Sequence, residues 1–316
     1  MDKFLRRVIA FTKALPIVIK LHTYVENEHI RKIVETLFIP IGLISYVVSK
    51  QVTKNPKMIN EIDVCVIVKN EARYIKEWIE YHRLIGIKNF YIFDNDSKDN
   101  LKKILTPYIK QGFVHYKAIH GHVRQLDAYN ISLRIARKKK HYLLALDADE
   151  FIFLPNPEDN FIDVVNDIFV KNESIGGIVF NWVIFGSSGY EKRQNKLITQ
   201  TYFHRSQFNF KFNQHVKTLV NPQKTIAFVN PHFACYTRGY YAVNLNNIKV
   251  DGPYSKPINN PKVRINHYFT KSKEEFMAKR ARGMADNNNI RDIKDYEKHD
   301  RNEVFDDSMR RYAEKL

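Results

Sequence analysis

The chain has 316 residues, 44% hydrophobic and 13% aromatic, enough for a sizeable core in one large domain or two ordinary ones. A formal charge of +17 requires an anionic partner, yet no RNA-recognition motif, zinc-finger spacing or aromatic-interleaved basic stripe accompanies it, which argues against nucleic acid. The two cysteines, Cys65 and Cys235, exclude a disulfide framework or zinc knuckle and point to a reducing compartment.

Residues 1–60 form a first segment. "MDKFLRRVIAFTKALPIVIKLHTYV" mixes basic and apolar residues but lacks the small-residue cleavage site of a signal peptide. "VETLFIPIGLISYVVSKQ" is more apolar, but its uncharged part contains Pro40 and falls short of the roughly 20 residues a membrane span needs. Lys3, Arg6, Arg7, Lys13, Lys20, Arg31, Lys32, Lys50, Lys54 and Lys57 surround these stretches. Two readings stand side by side: an amphipathic segment lying on an anionic membrane face, or helices packed on the protein's own globular domain.

A composition break falls at "SKQVTKNPKMINE", residues 49–61. Beyond it the pattern alternates. "IDVCVIVKNE" predicts a buried strand with Cys65 in its core, and "ARYIKEWIEYHRLIGI" a helix stopped at Gly86. "KNFYIFDNDS" is a second strand and "NLKKILTPYIKQG" a second helix. "FVHYKAI" is a third strand, followed by the helix "VRQLDAYNISLRIARKKK". "HYLLALDADEFIFL" is a fourth strand. Four strand–helix repeats predict an α/β fold with a mostly parallel sheet sandwiched by helices. Ligands of such sheets bind beyond the carboxyl ends of the strands. Polar clusters fall there: Lys69–Asn70–Glu71, Asp94–Asn95–Asp96, and Asp147 to Glu150. Turns alone are also rich in Asp and Asn. No GxGxxG or GxxxxGK[ST] is present, which argues against a nicotinamide, flavin or P-loop site.

Three carboxylates in four positions, "DADE", repel one another unless something cationic neutralises them. An Asp-x-Asp pair at a strand end can seat Mn²⁺ or Mg²⁺, which favour oxygen ligands and often share them with substrate phosphates. The ion then neutralises charge on a departing diphosphate.

The stretches "VKNEARYIKEWIEYHRLIGIKNFYIFDNDSKDN", "RQLDAYN", "LDADEF", "NWVIFGSSG", "NQHVKTLV" and "INHYFTKSKEEFMAKRARG" occur in this order across most of residues 62–285. In this combination the chain resembles glycosyltransferase family 92 and the broader family 2-like group, enzymes of the GT-A fold. The resemblance implies a GT-A glycosyltransferase domain over residues 61–285, with a nucleotide-binding half at 61–155 and an acceptor half at 156–285. It implies a hexosyltransferase using a nucleotide-sugar donor, usually a UDP-sugar, with Mn²⁺ or Mg²⁺ and inversion at the anomeric carbon. Asp147, Asp149 and His267 correspond to metal ligands. Asn70, Asp94, Asp96, Gln125, Asn130, His215 and Lys217 correspond to donor-site positions, with His215 and Lys217 alternatively meeting the acceptor. Lys271 and Arg282 are further phosphate candidates.

Beside these stand plainer readings. His215 could be structural, Trp182 and Phe185 packing residues, Lys217 and Lys271 surface charges, and Glu274 and Glu275 first-turn helix acids. Inverting transfer needs a general base on the acceptor side, for which Glu191 and Glu275 are the candidates. Residues 286–316 read as a peripheral helical segment. The expected setting is cytoplasmic, peripheral to a bacterial inner membrane, with a glycan or lipid-linked glycan acceptor in polysaccharide synthesis. Rival readings are a metal-dependent nuclease or phosphotransferase, and a non-catalytic basic membrane adaptor.

Overall fold

The computed structural model describes residues 2–49, 58, 60–283 and 291–316; Lys50, Lys54, Lys57 and most of the composition break lie outside them. Three helices come first: α1 (Lys3–Ala14), α2 (Pro16–Tyr24) and α3 (Glu28–Val48). The alternating region is β1 (Ile62–Val68), α4 (Ala72–Leu84), β2 (Asn89–Asp94), α5 (Leu101–Lys110), β3 (Val114–Ala118), α6 (Gln125–Lys139) and β4 (Tyr142–Ala145). Next come β5 (Glu150–Phe153), α7 (Phe161–Lys171), β6 (Ile175–Ile184), β7 (His204–Arg205), β8 (Val216–Val220), β9 (Thr225–Asn230) and β10 (Phe233–Tyr236). The chain closes with β11 (Tyr241–Val243), β12 (Lys249–Val250), β13 (Arg264–His267), α8 (Lys273–Ala281), α9 (Ile293–His299), β14 (Val304–Phe305) and α10 (Arg310–Ala313).

The expected α/β class is the one observed. The main sheet runs β12-β11-β6-β8-β4-β1-β2-β3. Strands β3, β2, β1 and β4 are parallel, so their carboxyl ends lie side by side. All seven residues of β1 are buried, as expected for a parallel strand covered on both faces. Beyond β4 the sheet becomes mixed. Strand β8 inserts antiparallel between β4 and β6, and β13 bridges β6 in parallel and β5 in antiparallel register.

The single strand expected over residues 141–154 is broken into β4 and β5. Asp147 to Asp149 form the turn between them, closed by Glu150 N–H donating to the Asp147 carbonyl at 3.1 Å. Helix α4 pins β5 in place. Trp78 Nε1 donates to the Glu150 carbonyl at 2.9 Å and the Tyr81 hydroxyl to that of Ile152. His82, whose pKa burial lowers to about 3, is a neutral imidazole packed beside Trp78.

The amino-terminal helices pack on the domain. Val8, Ala10 and Val18 are buried, and α1 crosses α3 so closely that a Cβ on Gly42 would sit 2.0 Å from Thr12 Oγ1. Buried Arg124 donates to the carbonyls of His22 and Val25, and buried Arg31 to those of His122 and Val123. These two arginines lock the helices to the loop that leads into α6. Packing on the domain, one of the two alternatives for this segment, thus describes α1 and α2; the outer face of α3 stays uncovered. No helix among the described residues is long and apolar enough to cross a membrane.

The carboxyl-terminal segment is less helical and less peripheral than its sequence suggests. It folds as two short helices around β14, which pairs with β7. Asp306 there accepts from Arg205 Nε at 2.6 Å and from the Arg264 guanidinium at 2.7 Å, and all three side chains are almost fully buried. Burial would raise the Asp306 pKa, but the two arginines hold it down at about 2. Its stabilisation is therefore present above the unfolded carboxylate pKa of about 4 and is lost as the pH falls toward 2. Asp306→Asn should cost about 3 kcal/mol at neutral pH by leaving two buried guanidinium groups short of a partner, with the deficit shrinking below pH 4. Denaturant titrations across pH check both statements.

Candidate active site

The site is built on the turn after β4. Asp147 Oδ1 accepts from Gln125 Nε2 at 2.8 Å and from the Tyr129 hydroxyl at 3.3 Å, both on α6. Its Oδ2 accepts from Lys217 Nζ at 2.9 Å. Lys217 lies on β8, is fully buried, and also pairs with Glu150 at 3.4 Å. Asp149 is held by Lys279 of α8, whose ammonium also reaches the Phe269 carbonyl at 3.2 Å and sits over the Phe269 ring. His267, at the end of β13, stands opposite Glu150 in the antiparallel register, and its Nε2 faces Asp149 Oδ1 at 3.6 Å. Sheet pairing thus brings together groups that are more than a hundred residues apart.

The electrostatics derive from this packing. Burial alone would raise both aspartate pKa values. Lys217 nevertheless holds Asp147 below the usual range, and Lys279 holds Asp149 well below it. Glu150 goes the other way, pushed up by burial despite Lys217. Burial keeps His267 neutral by lowering its pKa, and brings Lys279 down to about 8 against the pull of Asp149. The acidic cluster is therefore neutralised from within the chain by two lysines.

Two carboxylates and a neutral imidazole are a donor set suited to Mn²⁺ or Mg²⁺. His267 Nε2 stands 3.6 Å from Asp149 Oδ1 and Asp147 is one-third exposed, so the set matches such an ion by donor type. Among the described residues no group of three His, Cys, Asp or Glu side chains is arranged to hold a metal ion. Lys217 and Lys279 hold these carboxylates instead.

The other sequence candidates divide. Asp94 and Asp96 lie on the rim at the end of β2. Asp94 accepts from Ser97 N–H at 2.9 Å and the Tyr116 hydroxyl at 2.8 Å. Exposed Asp96 bonds His120 at 2.5 Å, which raises the His120 pKa. Asn70 is a loop clamp between the ends of β1 and β2. It adopts φ 55°, takes a hydrogen bond from Lys98 N–H on its Oδ1, and donates its backbone N–H to Ser97 Oγ. Asn130 points away from the turn, its side chain paired in both directions with the backbone of Phe228 on β9 at 2.8 and 3.0 Å. His215 is half-buried, stacked on Trp182 at 4.8 Å, and Trp182 in turn meets His267 edge-on at 4.3 Å. Lys217 is no surface contact: its ammonium is enclosed by Asp147 and Glu150. Lys271 is buried over the Tyr74 ring, and Arg282 pairs with Glu71 and donates to the Lys69 carbonyl at 2.9 Å.

Of the two base candidates, Glu275 is a helix cap. It closes a capping box with Ser272 and accepts from the hydroxyls of Tyr74 and Tyr202. Burial would raise its pKa, but these donors lower it. Glu191 is exposed and ion-paired with Lys273 at 3.4 Å. Sequence reasoning missed Lys279 and Tyr129, two groups that complete the network.

The sequence profile described as "Glycosyltransferase family 92" matches residues 60–308. The chain belongs to glycosyltransferase family 92. A family 92 protein of Oryza sativa subsp. japonica is 30% identical over 141 residues, covering 44% of this chain and 24% of that protein. A family 92 protein of Ricinus communis is 26% identical over 179 residues, covering 55% and 31%. This chain thus spans about a quarter to a third of the length of those curated relatives. Among solved structures, S. aureus TarS in complex with UDP-GlcNAc aligns over 61% of this chain and 60% of its own, with 13% identity and a TM-score of 0.35. A mannosyltransferase from Pyrobaculum calidifontis in complex with GDP-Man and Mn²⁺ aligns over 54% and 46%, with 13% identity and a TM-score of 0.30. Likenesses this distant place no ligand in this family 92 chain.

Proposed function

We propose that this chain transfers a hexose from a nucleotide-diphosphate sugar, a UDP-sugar in first place, to a glycan or glycolipid hydroxyl with inversion. The observation that carries the reading is the placement of Asp147 and Asp149, with His267 facing Asp149 at 3.6 Å, at the carboxyl end of the parallel strands in a family 92 chain. Asp147, Asp149 and His267 would hold Mn²⁺ or Mg²⁺, which supplies neutralisation of a diphosphate leaving group. Gln125 and Tyr129 orient Asp147 from α6. Lys217 keeps Asp147 ionised, and the Lys279 ammonium lies against Asp149, next to where the diphosphate would sit. Asp94 and Asp96 border the same rim on the nucleoside side. Glu191, exposed and outside the network, is the remaining base candidate.

Glu275→Gln separates base from cap. As a cap it should lose about 1–2 kcal/mol of stability with turnover within about threefold. A base would lose a hundredfold or more in kcat at unchanged stability. The function itself is tested by incubating the chain with UDP-, GDP- and CMP-linked sugars, Mn²⁺ and oligosaccharide acceptors, with phosphodiester substrates in parallel. Release of nucleotide from one donor class without phosphodiester cleavage supports the reading. Phosphodiester hydrolysis lost in Asp149→Asn, with no donor turnover, contradicts it and favours a nuclease.

A further inference from the structure

Most exposed large hydrophobic side chains among the described residues fall within residues 4–48 rather than scattering over the surface. Helix α3 carries the centre of this patch. Its inner face, through Arg31, Gly42 and Tyr46, meets the domain and α1. On the opposite side Ile33, Leu37, Ile41, Ile44 and Val48, spaced four, four, three and four residues apart, are 59%, 70%, 46%, 61% and 66% exposed. A contiguous apolar face of this kind marks a docking surface.

The charges around it select the occupant. Lys20 is exposed on α2, and Lys32 is exposed on the first turns of α3, where it pairs with Glu28. Helix α1 runs antiparallel to α3, so that Phe4 meets Tyr46 at 5.3 Å, and Arg7 and Lys3, the latter paired with Asp251 at 3.5 Å, lie toward the apolar end of α3. A second copy of the chain, itself at +17, would bring like-charged rims together. Anionic lipid headgroups complement the rim while the acyl boundary accepts the apolar face. We propose that α3 lies in the plane of an anionic membrane surface, its Ile33–Leu37–Ile41–Ile44–Val48 face buried at the headgroup boundary. Arg31 ties this helix to the carbonyls of His122 and Val123, a few residues before Gln125. The docked helix is therefore joined directly to the loop that enters the site.

The test uses the full chain and vesicles of phosphatidylcholine, with and without phosphatidylglycerol. It needs no donor, so its outcome is independent of the transferase assignment. The chain should co-sediment with the anionic vesicles and lose binding steeply as salt rises. Leu37→Glu with Ile44→Glu, at exposed positions, should keep the parent melting curve and raise the lipid needed for half-binding by more than about tenfold. Absence of vesicle binding, or binding equal in parent and double variant, overturns the proposal. So does a lipid-free dimer that the double variant converts to monomer without any vesicle binding, which would give the face to a second copy.

Discussion

Replacing Asp149 by asparagine should lower kcat/KM for nucleotide-sugar turnover by about a thousandfold while leaving the chain folded. Asp149 is buried, and its charge is what engages Lys279 and faces His267. Asparagine keeps the shape and removes the charge. The fold tolerates this because burial has already brought the Lys279 pKa down to about 8, so the unpaired ammonium can release its proton at modest cost. Steady-state kinetics beside circular dichroism and a melting curve check the prediction. Parent-like turnover with an unchanged metal requirement would remove Asp149 from the site.

Lys217→Met should act on stability first, by about 4 kcal/mol. The ammonium is fully enclosed between Asp147 at 2.9 Å and Glu150 at 3.4 Å, and methionine fills the space without answering either carboxylate. Glu150 already sits at about 8 through burial, and losing Lys217 pushes it higher. A group with a raised folded pKa contributes stability when protonated and loses it as pH rises through that pKa. The deficit of the variant should therefore be smaller at pH 6 than at pH 9. Urea unfolding at the two values measures it. Parent-like stability combined with lost donor affinity would return Lys217 to the ligand contact that its sequence position suggested.

The region from Ile62 to Ala145 was legible because its strands are mostly apolar runs separated by helical patterns, and two of its helices end at Gly86 and Gly112, both at positive φ. The break between β4 and β5 was not, since "YLLAL" and "EFIFL" both read as strand, and the second is turned away by distant partners, β13 and helix α4. The acidic turn stood out as unlike charge in a basic chain. Its partner on α8 did not: Lys279 lies in "MAKRARG", where a lysine ordinarily marks a solvated helix face. Lys217 did leave a signal, a lone charge in the otherwise uncharged strand "VKTLV", which implies a buried ion pair. The partner of Asn130, the backbone of Phe228, is 98 residues away, and no local pattern announces it.

Calorimetric titration of the folded chain with UDP, in Mn²⁺ and again in EDTA, tests the central claim most directly. Binding should require the metal and disappear in Asp149→Asn. No nucleotide binding, or binding indifferent to both EDTA and that substitution, would contradict the transferase assignment and leave the Asp147–Asp149 turn a salt-bridged structural feature.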